Sequence, residues 1–88
     1  MEEKCILSGF AIVVLDRGFV YVGNVDISKE WCVIKNAKNI RYWGTTKGLG
    51  EIALGGPTNK TKLDDVGTVR VLKKAVMHII DTEASKWN

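Results

Sequence analysis

The chain has 88 residues, 45% of them hydrophobic and 26% charged, with a net charge of +3 and a sequence pI of about 9.0. That suffices for one domain with a modest core, not for a core plus an elaborate enclosed active site, and it excludes a disordered chain. The longest apolar run, Ala11 to Leu15, is far too short to cross a bilayer. The acidic opening Met1-Glu2-Glu3-Lys4 is unlike a signal peptide, so the expectation is a single domain, residues 1–88, in the cytoplasm.

In chain order, Ile6 to Leu15 is rich in Ile, Val and Leu and ends at the turn Asp16-Arg17-Gly18. Phe19 to Ile27 alternates, with Phe19, Tyr21, Val25 and Ile27 on one face and Gly23 as a bulge or a point of close approach. Ser28-Lys29-Glu30 turns the chain into a third strand, Trp31 to Ile34. Asn36-Ala37-Lys38-Asn39 reads as a tight connection into a fourth, Ile40 to Trp43. There, period-2 geometry puts Ile40 and Tyr42 on the core face and Arg41 with Trp43 on the other.

Leu49, Ile52 and Ala53 recur at i, i+3 and i+4, so Gly48 to Leu54 reads as a short helix facing the sheet, capped by Thr45 or Thr46 and ended by Gly55-Gly56-Pro57. Thr58 to Asp65 reads as a polar loop with Asp64 and Asp65 solvated. Strands from Thr68 to Leu72 and Ala75 to Ile80 follow, and Thr82 caps a last helical turn, Glu83 to Trp87. The expected fold is α+β: a mainly antiparallel sheet or small open barrel of five to six strands, with one short helix after strand 4 and a short C-terminal helix.

Residues 35 to 49 hold the densest chemistry, with four cations (Lys35, Lys38, Arg41, Lys47), two large aromatics (Tyr42, Trp43) and two glycines (Gly44, Gly48). Aromatic faces stack on bases, cations meet phosphates, and glycine lets backbone N–H groups approach an anion. Gly44-Thr45-Thr46-Lys47-Gly48 resembles a phosphate loop only superficially, because it lacks the spacing of a Walker A motif. The alternatives for this segment are a capped loop with a solvated lysine and a Trp43 that covers a secondary core or an interface. Elsewhere, Cys5 and Cys32 read as buried thiols, His78 as a structural strand residue, and Arg70, Lys73 and Lys74 as a solvated edge. One histidine and no convincing nucleophile–base pair argue for a binder without cofactor or metal rather than an enzyme.

Asn36-Ala37-Lys38-Asn39-Ile40-Arg41-Tyr42-Trp43, followed by Leu49, Ala53 and Gly56, resembles a family of small uncharacterised tailed-phage proteins with the pattern Lys-Asn-Ala-Arg-x-Ile-x-Tyr-Trp. Position 41, often aromatic in that family, is Arg41 here, and the loop after Gly56 is shortened. The resemblance implies a phage or prophage origin and a β-rich fold with a helix across the sheet. More distantly the chain is similar to phage sponge proteins that sequester cyclic nucleotide signals of bacterial immunity, the anti-CBASS and anti-Thoeris types. On that reading a homo-oligomer in the host cytoplasm holds a cyclic nucleotide between subunits. Tyr42 or Trp43 stacks on a base, Lys38, Arg41 and Lys47 neutralise phosphates, and Thr45, Thr46 and Gly48 supply hydrogen bonds. The runner-up is a small nucleic-acid-binding protein using the same residues as a track. A third reading is an inhibitor of a host enzyme anchored by Trp43.

Overall fold

The computed structural model describes residues 7–45 and 48–87. In chain order these form β1 (Leu7–Leu15), β2 (Val20–Ile27), β3 (Trp31–Tyr42), α1 (Leu49–Gly55), β4 (Lys62–Leu72) and β5 (Val76–Asp81), with 3-10 turns at Asp16–Gly18, Lys73–Ala75 and Ala84–Lys86. All five strands join one antiparallel sheet in the order β4-β3-β2-β1-β5. The molecule is therefore mainly β, an open sheet with one helix. Among the described residues, no helix is long and apolar enough to cross a membrane.

Two expected strands are one. Trp31 to Tyr42 runs as a single 12-residue strand, and the polar run expected to turn the chain is a bulge inside it. Asn36 takes a positive φ of 52°, and the pairing with β4 slips between Ile34 and Ala37. Asparagine tolerates this conformation, and a single such residue kinks a strand without ending it. The helix accordingly follows the third strand, not the fourth. Gly23 lies opposite the bulge, where a Cβ would sit 2.8 Å from the Ile34 side chain and 2.9 Å from the Lys35 carbonyl. The close approach expected at Gly23 is present.

Connectivity forces the sheet to curl. β4 and β5 occupy opposite edges, about 19 Å apart in a flat five-stranded sheet. Yet only the turn Lys73–Ala75 joins them, and three residues of 3-10 helix advance about 6 Å. Curling brings Val69 and Val71 of β4 and Val76 and Ile79 of β5 onto a cluster of Ala11, Val13, Val25, Cys32 and Ile34. No helix covers this inner face among the described residues, so the sheet itself shields it.

The other face carries Ile12, Val20, Val22 and Ile40, covered by Ile52 and Ala53 of α1 and by Trp87. The helix thus buries the stripe its spacing predicts. Gly56 ends the helix as expected, donating its N–H to the Ile52 carbonyl, whereas Gly48 is the N-cap and, among the described residues, no side-chain oxygen accepts a helix N–H there. Thr82 does not cap the last turn, which is 3-10 rather than helical. Its hydroxyl instead donates to the Ala53 carbonyl (2.5 Å) and accepts the Trp87 indole N–H (2.9 Å), latching the C-terminal turn to α1.

Candidate ligand-binding surfaces

The segment singled out by sequence lies along the second half of β3 and beyond it, and β4 pairs two of its cations. Pairing sets Lys38 opposite Asp65 and Asn39 opposite Asp64. Lys38 Nζ donates to Asp65 Oδ1 (2.5 Å), while Arg41 donates through Nε to Asp64 Oδ2 (2.8 Å) and through Nη2 to Oδ1 (3.3 Å). The Arg41 hydrogen bonds hold the Asp64 carboxyl below the usual carboxylate range, and the same bonds push the guanidinium higher. Asp64 and Asp65 are thus strand residues with cationic partners rather than loop residues, and their side chains stay open to solvent as expected. Pairs this exposed add little stability, but they cancel the charges of Lys38 and Arg41.

The aromatics are placed differently from the alternation expected of them. β3 ends at Tyr42 and its pairing slips between Ile40 and Tyr42, so the strand period does not extend to Trp43. Arg41 turns to Asp64 instead of sharing a strand face with Trp43. Tyr42 is 59% exposed and Trp43 36%. The Thr45 hydroxyl donates to the Gly48 carbonyl at 2.7 Å, and Gly48 takes a positive φ of 79°. Thr46 and Lys47 lie outside the described residues. Of the expected site, the structure brings Tyr42 and Trp43 to the surface beside two ion-paired cations.

The opposite end of the same strands holds what sequence reading set aside. Lys29, Glu30, Leu72, Lys73 and Lys74 line a groove of about 390 Å³. Trp31 and Leu72 are direct partners across β3 and β4, each 45% exposed. Arg70 sits opposite Val33. Two backbone hydrogen bonds fix this end: Lys73 N–H to the Glu30 carbonyl (2.8 Å) and Ser28 N–H to the Trp31 carbonyl (3.0 Å). Among the described residues, none of Lys29, Arg70, Lys73 and Lys74 has an ion-pair partner. The adjacency of Lys29 to Trp31 and the Lys73-Lys74 doublet were the available signals, but only sheet pairing joins them.

Cys32 is fully buried, and burial pushes its thiol pKa up, which suits a packing residue. His78 is exposed on β5 opposite Val14. Among the described residues, no group of three or more His, Cys, Asp or Glu side chains is placed to hold a metal. No protein-family model, curated protein or solved structure matches this chain.

Proposed function

We propose that this chain is a non-enzymatic binding protein for single-stranded nucleic acid. One observation carries the reading: Lys29, Lys73 and Lys74 line a groove with Glu30 and Leu72, the exposed cross-strand partner of Trp31, Arg70 lies two positions before Leu72 on β4, and none of these four cations has a carboxylate partner among the described residues. Unpaired bases present flat faces to Trp31, while Lys29, Arg70, Lys73 and Lys74 lie along the path of the phosphates. The groove is open, which suits a strand passing over it better than a small molecule enclosed by it. Neutralising three or four phosphates gives a salt slope of roughly −2 to −3 for a single strand.

Fluorescence anisotropy of a labelled thymidine oligonucleotide, titrated at several salt concentrations, tests this. Trp31→Ala is expected to cost about 1–3 kcal/mol of binding. Lys73→Ala/Lys74→Ala flattens the salt slope by about 0.7 for each phosphate it ceases to neutralise. Absence of binding at low salt, or binding indifferent to both variants, contradicts the proposal.

A second reading, capture of a cyclic nucleotide by a phage-encoded homo-oligomer, draws support from Tyr42 and Trp43. Both stand exposed close in sequence to the Thr45–Gly48 hydrogen bond, and on this reading a second protomer supplies the missing wall. A thermal-shift series with cyclic dinucleotides tests it, since ligand at a hundred times its dissociation constant stabilises by about 2.7 kcal/mol. A rise that Trp43→Ala removes favours this reading, and a flat series rejects it.

A further inference from the structure

We infer that the cleft between β2, the β3 bulge and Trp87 receives an uncharged nucleobase, adding base selection to the strand binding proposed above. This rests on that reading for its biological sense, though not for its chemistry. The cleft has a volume of about 260 Å³, enough for one planar heterocycle with room to adjust. Phe10, Val22 and Trp87 form its apolar wall, and the Phe10 and Trp87 rings meet at a tilt of 53° with centroids 6.4 Å apart. Trp87 is almost fully buried and spends its indole N–H on Thr82, so it gives the cleft an apolar floor rather than a donor.

The rim is polar in a way that suits a base edge. Asn24, Asn36 and Lys38 line it. Both asparagines are exposed and neither side chain has a hydrogen bond among the described residues, so a ligand can take up both amides by displacing only water. An asparagine amide pairs bidentately with adjacent donor and acceptor groups on a base. The bulge is what holds Asn36 there, at its positive φ, beside the strand position of Lys35 opposite Asn24.

The cleft is also continuous with the cationic end. Cys32 and Ile34 are buried on the inner face, so Trp31, Val33 and Lys35 alternate onto the outer one. Pairing sets Arg70 beside Val33 and Asn24 beside Lys35, which leads from Trp31 to the cleft along one face. A strand bound at Trp31 can therefore place a later base between the two amides.

Free nucleosides carry no phosphate and test the cleft without the cations. Adenosine and cytidine are titrated into nitrogen-15-labelled full chain, and the Asn24 and Asn36 side-chain amides and the Trp87 indole are followed by NMR. Saturable shifts at these groups are expected in the wild type, and in Asn24→Ala and in Asn36→Gly the shifts of the Trp87 indole and of the remaining asparagine amide should be lost. Glycine at position 36 keeps the positive φ, so loss there is not a folding defect. Homopolymer oligonucleotides then differ in affinity by about fivefold or more in the wild type, a difference both variants erase. No saturable shift at these groups, or shifts that survive both substitutions, overturns the inference. Strand binding that depends on Lys73 and Lys74 but ignores base identity also overturns it, while leaving the proposed function standing.

Discussion

The two ends of β3 are both basic in sequence and opposite in physical state. At the Tyr42 end, Lys38 and Arg41 lie across from Asp65 and Asp64, and each cation has an acidic partner within hydrogen-bonding distance. At the Trp31 end, the neighbouring β4 positions are Arg70 and Leu72, and the following turn adds Lys73 and Lys74. One edge strand therefore pairs two cations at one end, where Lys62 opposite Tyr42 keeps its charge, and adds only unpaired cations at the other, where Glu30 is the acid in the groove. Local sequence density is a poor guide to free charge in a sheet, because the neighbour that decides it comes from elsewhere in the chain.

Removing the scaffold both ends share has the largest expected effect. Gly23→Ala drives a Cβ against Ile34 and the Lys35 carbonyl, and overpacking of this kind costs about 1–3 kcal/mol. Urea denaturation should show that loss, with a midpoint well below that of the wild type. Unchanged stability would mean that the β2–β3 bulge is not the tight contact described.

Charge reversal separates the ends. Lys73→Glu/Lys74→Glu should weaken oligonucleotide binding by at least about tenfold, against no more than about twofold for Arg41→Glu. Equal losses from the two would erase the distinction. The neutralised end can also be unmasked. Asp64→Asn/Asp65→Asn frees Arg41 and Lys38 and should raise affinity by about threefold at low salt, an increment that about 0.5 M salt removes.

The smallest effect is on the pH dependence of stability. Asp64 has a folded pKa below its unfolded value, so its contribution is present above the ordinary carboxylate range and lost as pH falls through the depressed folded value. Both partners are exposed, so the loss is slight. Chemical denaturation across the acid range should show it in the wild type and not in Asp64→Asn.

Much of the sheet was legible in the sequence because its signals are local. The apolar run of β1, the turn at Asp16–Gly18, the alternation of β2 and the i, i+3, i+4 stripe of α1 are each set by neighbouring residues. β3 was misread because Asn36-Ala37-Lys38-Asn39 has turn composition, yet only Asn36 takes the left-handed conformation. Asp64 and Asp65 were misplaced for a related reason. Their partners lie 23 and 27 positions away, and no local pattern reports that pairing. The same limit hid the groove at Trp31, whose walls come from the β2–β3 turn and the β4–β5 turn. Of the aromatics, the exposure of Trp43 was legible, but Tyr42, expected on the core face with Ile40, is exposed because the pairing slips between them, and the acids beside the cations were not foreseen.

The most direct measurement is a nitrogen-15 NMR titration of the full chain with a short thymidine oligonucleotide at low salt. Amide shifts concentrated at Lys29 to Trp31 and Arg70 to Lys74, with the Trp31 indole moving alongside them, are the result expected if free charge decides the site. Shifts concentrated from Lys38 to Thr45, with residues 70 to 74 unmoved, would place binding at the ion-paired end and contradict it.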